Sequence, residues 1–140
     1  MCLKVFLPYG PGTDPQRMIA RIINNINSGK KVDLKKDGKP ITNPVYISDL
    51  VEITRLAMEY EGKPFEKFNV AGEDKASIEQ IAMIIGHELG RTPEYNMIDK
   101  EEKDMIADIS RVKNVLGYRY KYPLRVGINE TVASLRSGRQ

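Results

Sequence analysis

With 140 residues, 41% of them hydrophobic, the chain is long enough for one compact domain with its own core and short for two, so residues 1–140 are read as a single domain. The formal net charge is +3, from 22 Lys and Arg scattered among 19 Asp and Glu, and the lack of a basic tract argues against nucleic acid as a partner. One cysteine, Cys2, has no internal disulfide partner, no secretory signal is visible, and no apolar run approaches the roughly 18 residues that span a bilayer. The expected setting is reducing and cytoplasmic, without membrane contact.

Residues 3–7 are mostly large and apolar and predict a short buried strand broken at Pro8, followed by a loop from Tyr9 to Gly12. Asp14 before Pro15 reads as a helix N-cap, and Met18, Ile19, Ile22, Ile23 and Ile26 recur at helical spacing up to Gly29. Residues 30–36 alternate charged and apolar side chains through Val32 and Leu34, as a half-buried strand does, before a turn at Asp37-Gly38. A second strand follows at residues 45–47. Ser48 or Asp49 then caps a helix, with Glu52 completing a capping-box pattern and Gly62 ending it. Residues 65–70 predict another apolar strand. Ser77 and Gln80 form a capping box for a helix carrying Ile78, Ile81, Ala82, Ile85 and Leu89, and Gly90 terminates it. Residues 95–98 suit a short edge strand, and the charge run 99–104 reads as a solvated face without metal-ligand spacing. Ser110 opens a short helix running to Gly117, Pro123 opens a last one, and residues 137–140 read as a frayed tail.

Four separated segments then fall in a familiar order: Tyr9-Gly10-Pro11-Gly12; Asp37-Gly38 with Val45-Tyr46-Ile47-Ser48-Asp49-Leu50; Phe68-Asn69-Val70-Ala71-Gly72 with Ser77-Ile78; and Ala107-Asp108-Ile109-Ser110 with Leu116-Gly117-Tyr118. With these the chain resembles the carboxyl-terminal, substrate-binding half of an extended short-chain dehydrogenase/reductase of the NAD-dependent epimerase/dehydratase family. The fold this implies is α/β: the C-terminal part of an NAD(P)-binding Rossmann-type fold, with short strands and four to five helices, lacking the N-terminal dinucleotide-binding half. No glycine fingerprint for a cofactor pyrophosphate occurs, and none of the seven tyrosines has a lysine four residues on, the pair that such enzymes use for proton exchange. No catalytic residue and no metal ligand is therefore assigned.

The resemblance implies that Phe6, Leu7 and Pro8 pass the nicotinamide end of NAD or NADP, and that Val32 and Leu34 lie against a nucleotide base. Tyr9 and Gly10, ahead of a helix whose free N–H groups favour an anion, are candidates for contact with a substrate phosphate or sugar. Each of these positions also has a plain reading as strand end, turn or core. Three departures bear on the substrate. Leu7 stands where such enzymes carry asparagine, and Thr42 or Asn43, and then Met105, stand near positions where they present arginine to a diphosphate. Arg17, Lys30, Arg91 and Arg111 are the cations considered as substitutes. His87, the single histidine, reads as a surface residue.

The function so implied is the substrate-binding part of an epimerase/dehydratase acting on a nucleotide sugar, incompetent without its dinucleotide-binding half. The alternatives are a stand-alone binding or interaction module, and part of a reductase of another small-molecule substrate. Because the strands at 3–7 and 65–70 would normally join a larger parallel sheet, self-association as a homo-oligomer, or exposed apolar surface, is expected.

Overall fold

The computed structural model describes residues 1–35 and 38–137, so the expected turn residue Asp37 and most of the expected frayed tail lie outside the described residues. The chain alternates short strands with helices. Strand β1 (Cys2–Val5) runs parallel to β6 (Lys67–Val70), pairing Leu3 with Phe68 and Val5 with Val70, and helix α2 (Ile47–Glu59) lies in the crossover between them. Strand β2 (Pro8–Tyr9) pairs parallel with β5 (Val45–Tyr46), and β3 (Val32–Lys35) pairs parallel with β8 (Tyr95–Ile98). An antiparallel pair, β4 (Ile41–Thr42) with β7 (Ala76–Ser77), completes the ladders. Helices α1 (Met18–Asn27), α3 (Ile78–Leu89), α4 (Ser110–Asn114) and α5 (Leu124–Arg136) supply the other elements.

Two apolar clusters result, and β5 feeds both. Successive strand residues point to opposite faces, so Tyr46 enters one cluster with Ile22, Val32, Ile81 and Ile128, while Val45 enters the other with Ile53, Phe68, Val70 and Val112. The first cluster is the packing of α1, α3 and α5 over β3. Its stripe on α1 (Ile19, Ile22, Ile23 and Ile26) is buried as the periodicity predicts, and Val32 and Leu34 of β3 face inward while Asp33 faces out.

Several local expectations are corrected. The strand expected at 3–7 stops at Val5, because Leu7 adopts a left-handed backbone with φ 46°. That kink moves the chain from pairing with β6 to pairing with β5, so Pro8 begins a strand instead of ending one. β1 is also not buried: Cys2, Lys4 and Val5 are exposed and only Leu3 packs on the second cluster. Asp14 does not cap α1. Its carboxylate accepts from Gln16 N at 2.9 Å and its carbonyl from Arg17 N at 2.9 Å, which makes a turn before the helix opens at Met18. Neither Ser48 nor Asp49 caps α2, which begins at Ile47, and the helix ends at Glu59, ahead of Gly62. Phe65, expected in a strand, is 95% exposed, and β6 starts at Lys67. The capping box at Ser77 and Gln80 and the left-handed Gly90 are present as the sequence predicts.

One buried amide ties the ladders together. Asn43, 2% exposed, donates from Nδ2 to Gly72 O at 3.1 Å and to Ala107 O at 2.9 Å, and accepts from Ala107 N at 3.0 Å. Its own carbonyl accepts from Gly72 N at 2.7 Å. The side chain thus acts as a strand residue for segments 29 and 64 positions away. Asn43→Ala leaves these buried groups unpaired and is expected to cost roughly 3 kcal/mol in urea unfolding. A loss within about 0.5 kcal/mol, the usual range for inconsequential substitutions, would show the clamp to be dispensable.

Candidate functional site

Hollows along the amino-terminal end of α1 form a track from the end of β1 to β3 and β8. The largest, a cleft of about 440 Å³, is bounded by Met18 and Ile22 of α1, Val32 of β3, Ile98 of β8 and Met105. Met18 also lines a small cavity of about 20 Å³ with Leu7, Pro8 and Tyr9. Arg17, on that same cavity, continues into a groove of about 290 Å³ over Pro11, Gly12 and Ile47. The track therefore starts at the kink at Leu7 and ends between α1 and the β3–β8 pair, where Met18, Ile98 and Met105 meet the charged Arg21, Asp33, Lys35, Lys39 and Glu102. A larger hollow, about 680 Å³, lies between α3 and the start of α5. It is lined by Gln80 of the capping box, by Pro123 at the start of α5 and by the exposed His87, and by none of the candidate binding residues.

Tyr9 forms the inner wall of the small cavity and is 3% exposed. Its hydroxyl donates to Leu124 O at 3.4 Å, and its ring meets Tyr46 edge-on with centroids 5.4 Å apart. The seat needs Gly127, where an added Cβ would collide with the Tyr9 hydroxyl. Gly10 has a similar reason, since a Cβ there would lie 2.5 Å from Ile47 Cγ2. Tyr46 donates to Glu130 Oε2 at 2.8 Å. Burial, and then Tyr46 beside it, push the Tyr9 hydroxyl well above the ordinary phenol range; burial and the Glu130 hydrogen bond do the same to Tyr46. Both stay neutral near pH 7, which suits them to walls and hydrogen-bond donors and not to proton abstraction.

Both lysines on the rim of the cleft are ion-paired, whereas the Asp33 carboxylate has an uncharged partner. Lys35 pairs with Glu102, Lys39 lies 3.7 Å from Asp104, and Asp33 accepts from Asn96 at 3.2 Å. Asp104 also accepts from Ile41 N at 3.0 Å, so the run 99–104 is a solvated edge tied down by ion pairs. Among the described residues no group of three or more His, Cys, Asp or Glu could hold a metal.

Of the sequence candidates, Leu7 and Pro8 line the track half-buried, Tyr9 and Val32 border it from the core at 3% and 2% exposure, and Leu34 is buried beside Val32 at 4%. Gly10 is buried beside Tyr9, and Phe6 is half-buried, its N–H donating to Val70 O at 2.9 Å. Thr42 and Asn43 are enclosed at 0% and 2% exposure, while Met105 does face the cleft. Arg111 is engaged by Glu66 and lies over the Phe68 ring, and Lys30 and Arg91 line a separate hollow of about 250 Å³. Arg17 alone of the four reaches the track. Arg21, not singled out from sequence, lines the cleft one turn further along α1, a position that helical spacing from Arg17 could have flagged. Asp49, read as a cap, is 1% exposed and accepts from the Tyr118 hydroxyl and from Lys121 N at 3.1 Å, pinning α2 to the segment before α5.

Parallel strand pairs joined through helices, with hollows opening at a strand end, are the architecture of Rossmann-type α/β folds. Residues 1–71 match the NAD dependent epimerase/dehydratase family. A Bacillus subtilis protein named as an uncharacterized UDP-glucose epimerase, YtcB, is 30% identical over 96% of this chain and 44% of its own length. The dTDP-4-dehydro-6-deoxy-D-allose reductase of Streptomyces bikiniensis is 29% identical over 91% of this chain and 40% of its own. Among solved structures, UDP-glucuronic acid 4-epimerase from Bacillus cereus in complex with NAD matches with a TM-score of 0.85 at 26% identity, over 96% of this chain and 44% of that one. The chain belongs to the NAD-dependent epimerase/dehydratase family, as an extended short-chain dehydrogenase/reductase that spans less than half the length of these relatives. Among the described residues no helix is long and apolar enough to cross a membrane.

The buried tyrosines carry a pH prediction. Burial pushes up Tyr9, Tyr46, Tyr118 and Tyr120, with further contributions from Glu130 at Tyr46 and from Asp49 at Tyr118 and Tyr120. Above pH about 10 the unfolded chain releases phenolic protons that the native chain retains, so stability falls as pH rises through that region. Phenolate absorbance from these four should therefore appear late and together with loss of helical circular dichroism. Titration of all seven tyrosines near pH 10 with the helices intact would contradict their burial.

Proposed function

We propose that these 140 residues supply the substrate-binding, carboxyl-terminal half of an NAD-dependent epimerase/dehydratase acting on a nucleotide sugar, and that they are not catalytically competent alone. The observation that carries the reading is the track along α1: it begins where β1 ends, and β1 pairs only with β6 among the described residues, leaving its other edge bare. A dinucleotide-binding half would add its strands at that edge, bringing the nicotinamide end of NAD to the start of the track.

The residues present fit the edge of such a cofactor site and not its centre. The kink at Leu7 sets its side chain with Pro8 on the first cavity, so Phe6, Leu7 and Pro8 would form a wall against the nicotinamide end, whereas no glycine-rich turn is present for the pyrophosphate. NAD, when bound, would take up and return the hydride. This chain's part is to bind and orient. Tyr9 and Gly10 would shape the path to the sugar, and Val32 and Leu34, both buried, would back the side of the cleft against which the base lies. The neutral, buried Tyr9 hydroxyl would not exchange protons with a sugar, so the acid-base pair would come from the other half. The nucleotide sugars named for the relatives support the substrate class. The bare edge of β1 and the exposed Val5 and Phe65 would favour self-association wherever that half is missing.

The test is turnover. The chain alone, given NAD and UDP-glucuronic acid or UDP-glucose, is expected to form no epimer. Co-expression with the part of the Bacillus cereus epimerase that the chain does not cover is expected to yield a complex that does. Epimerisation by the 140 residues alone would contradict the reading.

A further inference from the structure

Resting on the reading that the dinucleotide-binding half is missing from this chain, we propose that a second copy of the chain covers the vacant face. Across a two-fold axis β1 pairs antiparallel with its own copy, and the apolar flank of α2 packs against the same flank of the other α2. The two flanks of α2 differ in chemistry. Ile47, Val51 and Met58, at i, i+4 and i+11, are exposed on one, with Leu50 and Thr54 beside them. Glu52, Arg55 and Glu59 take the other and are ion-paired among themselves. Neighbouring segments show which way each flank looks. Glu52 feels the charge of Lys121, in the segment after α4, and Arg111 of α4 donates to Lys67 O of β6. Ile47 instead abuts Gly10, downstream of β1. The apolar flank therefore overhangs the bare edge of β1, and the charged flank the covered side of β6.

One axis satisfies both contacts. Cys2 N and Phe6 N donate towards β6, so the alternate N–H groups of Leu3 and Val5 point to the bare edge. Pairing about Leu3 sets Leu3 against itself, Val5 against Met1 and Cys2 against Lys4, whereas pairing about Lys4 would bring two like charges face to face. Along α2, antiparallel packing sets Ile47 against Met58 and Val51 against Thr54, so the flank is complementary to itself. That stretch of α2 is about 16 Å long by the helical rise. With the edge of β1 beneath it, the contact buries on the order of 1,000 Å² over both copies, at the lower limit for a specific interface. A dinucleotide-binding half would add its strands at this same edge, so dimerisation and joining that half exclude one another.

The experiment is sedimentation velocity of the full 140-residue chain across the micromolar range, with circular dichroism to check that each variant is folded. The wild type is expected to dimerise with a Kd in that range. Val51→Lys, at a position 60% exposed, and Val5→Pro, which removes only an outward N–H, should each weaken the dimer at least about tenfold. Met97→Lys, on the exposed strand β8, should dimerise as wild type. Cys2, the single cysteine, provides a second readout. In the register about Leu3 the two copies of Cys2 lie about 8 Å apart, beyond disulfide reach, so a short bismaleimide should link wild-type chains in pairs and Val51→Lys chains far less. A dimer that Val51→Lys and Val5→Pro leave intact would overturn the proposal while the missing-half reading stands, as would a monomeric wild type that takes up an apolar-surface dye. A monomer without dye uptake would overturn both.

Discussion

The buried amide of Asn43 sets much of what this chain can and cannot do with a ligand. It satisfies backbone groups at Gly72 and Ala107 that would otherwise be buried without partners, and it joins three stretches far apart in sequence. With those stretches fixed, Met105 N donates to Ile41 O at 2.8 Å and the Met105 side chain is held at the mouth of the cleft. The same enclosure excludes a charge at this position. A guanidinium at residue 42 or 43 would have to leave the water and find partners in a space already filled by hydrogen bonds.

The second constraint is an unfinished sheet. Parallel strands are normally covered on both faces and flanked by further strands, yet β1 exposes three of its four residues and has one partner among the described residues. Leu7 accounts for how the chain leaves this edge. Its left-handed backbone turns the strand out of the β1–β6 pair and into the β2–β5 pair, which carries Tyr9 and Gly10 against Tyr46 and Ile47. The kink thus does two things at once: it ends the β1–β6 pair and begins the row of hollows along α1. That coupling is why the site and the bare edge belong to one account.

Much of the architecture is legible in the sequence because local physics dictates it. The isoleucine stripe of α1, the alternation through Val32 and Leu34, the Ser77–Gln80 capping box and Gly90 each follow from spacing or cap chemistry alone, and the family resemblance supplies the parallel pairing. What is not legible depends on partners distant in sequence. Asp49 has the pattern of a cap, but Tyr118 and Lys121, about seventy positions on, claim its carboxylate instead. Residues 3–7 read as buried because they are apolar, whereas burial requires neighbouring strands.

The central claim, that this chain holds one half of a sheet and one half of a site, makes its free apolar surface the quantity to measure. Sedimentation velocity of the 140-residue chain, run with and without a dye that fluoresces on apolar surface, reads it directly. Val5, Met58 and Phe65, at 39%, 82% and 95% exposure, lead the account to predict self-association, or dye uptake by whatever monomer persists. A strictly monomeric species that takes up no dye would contradict it.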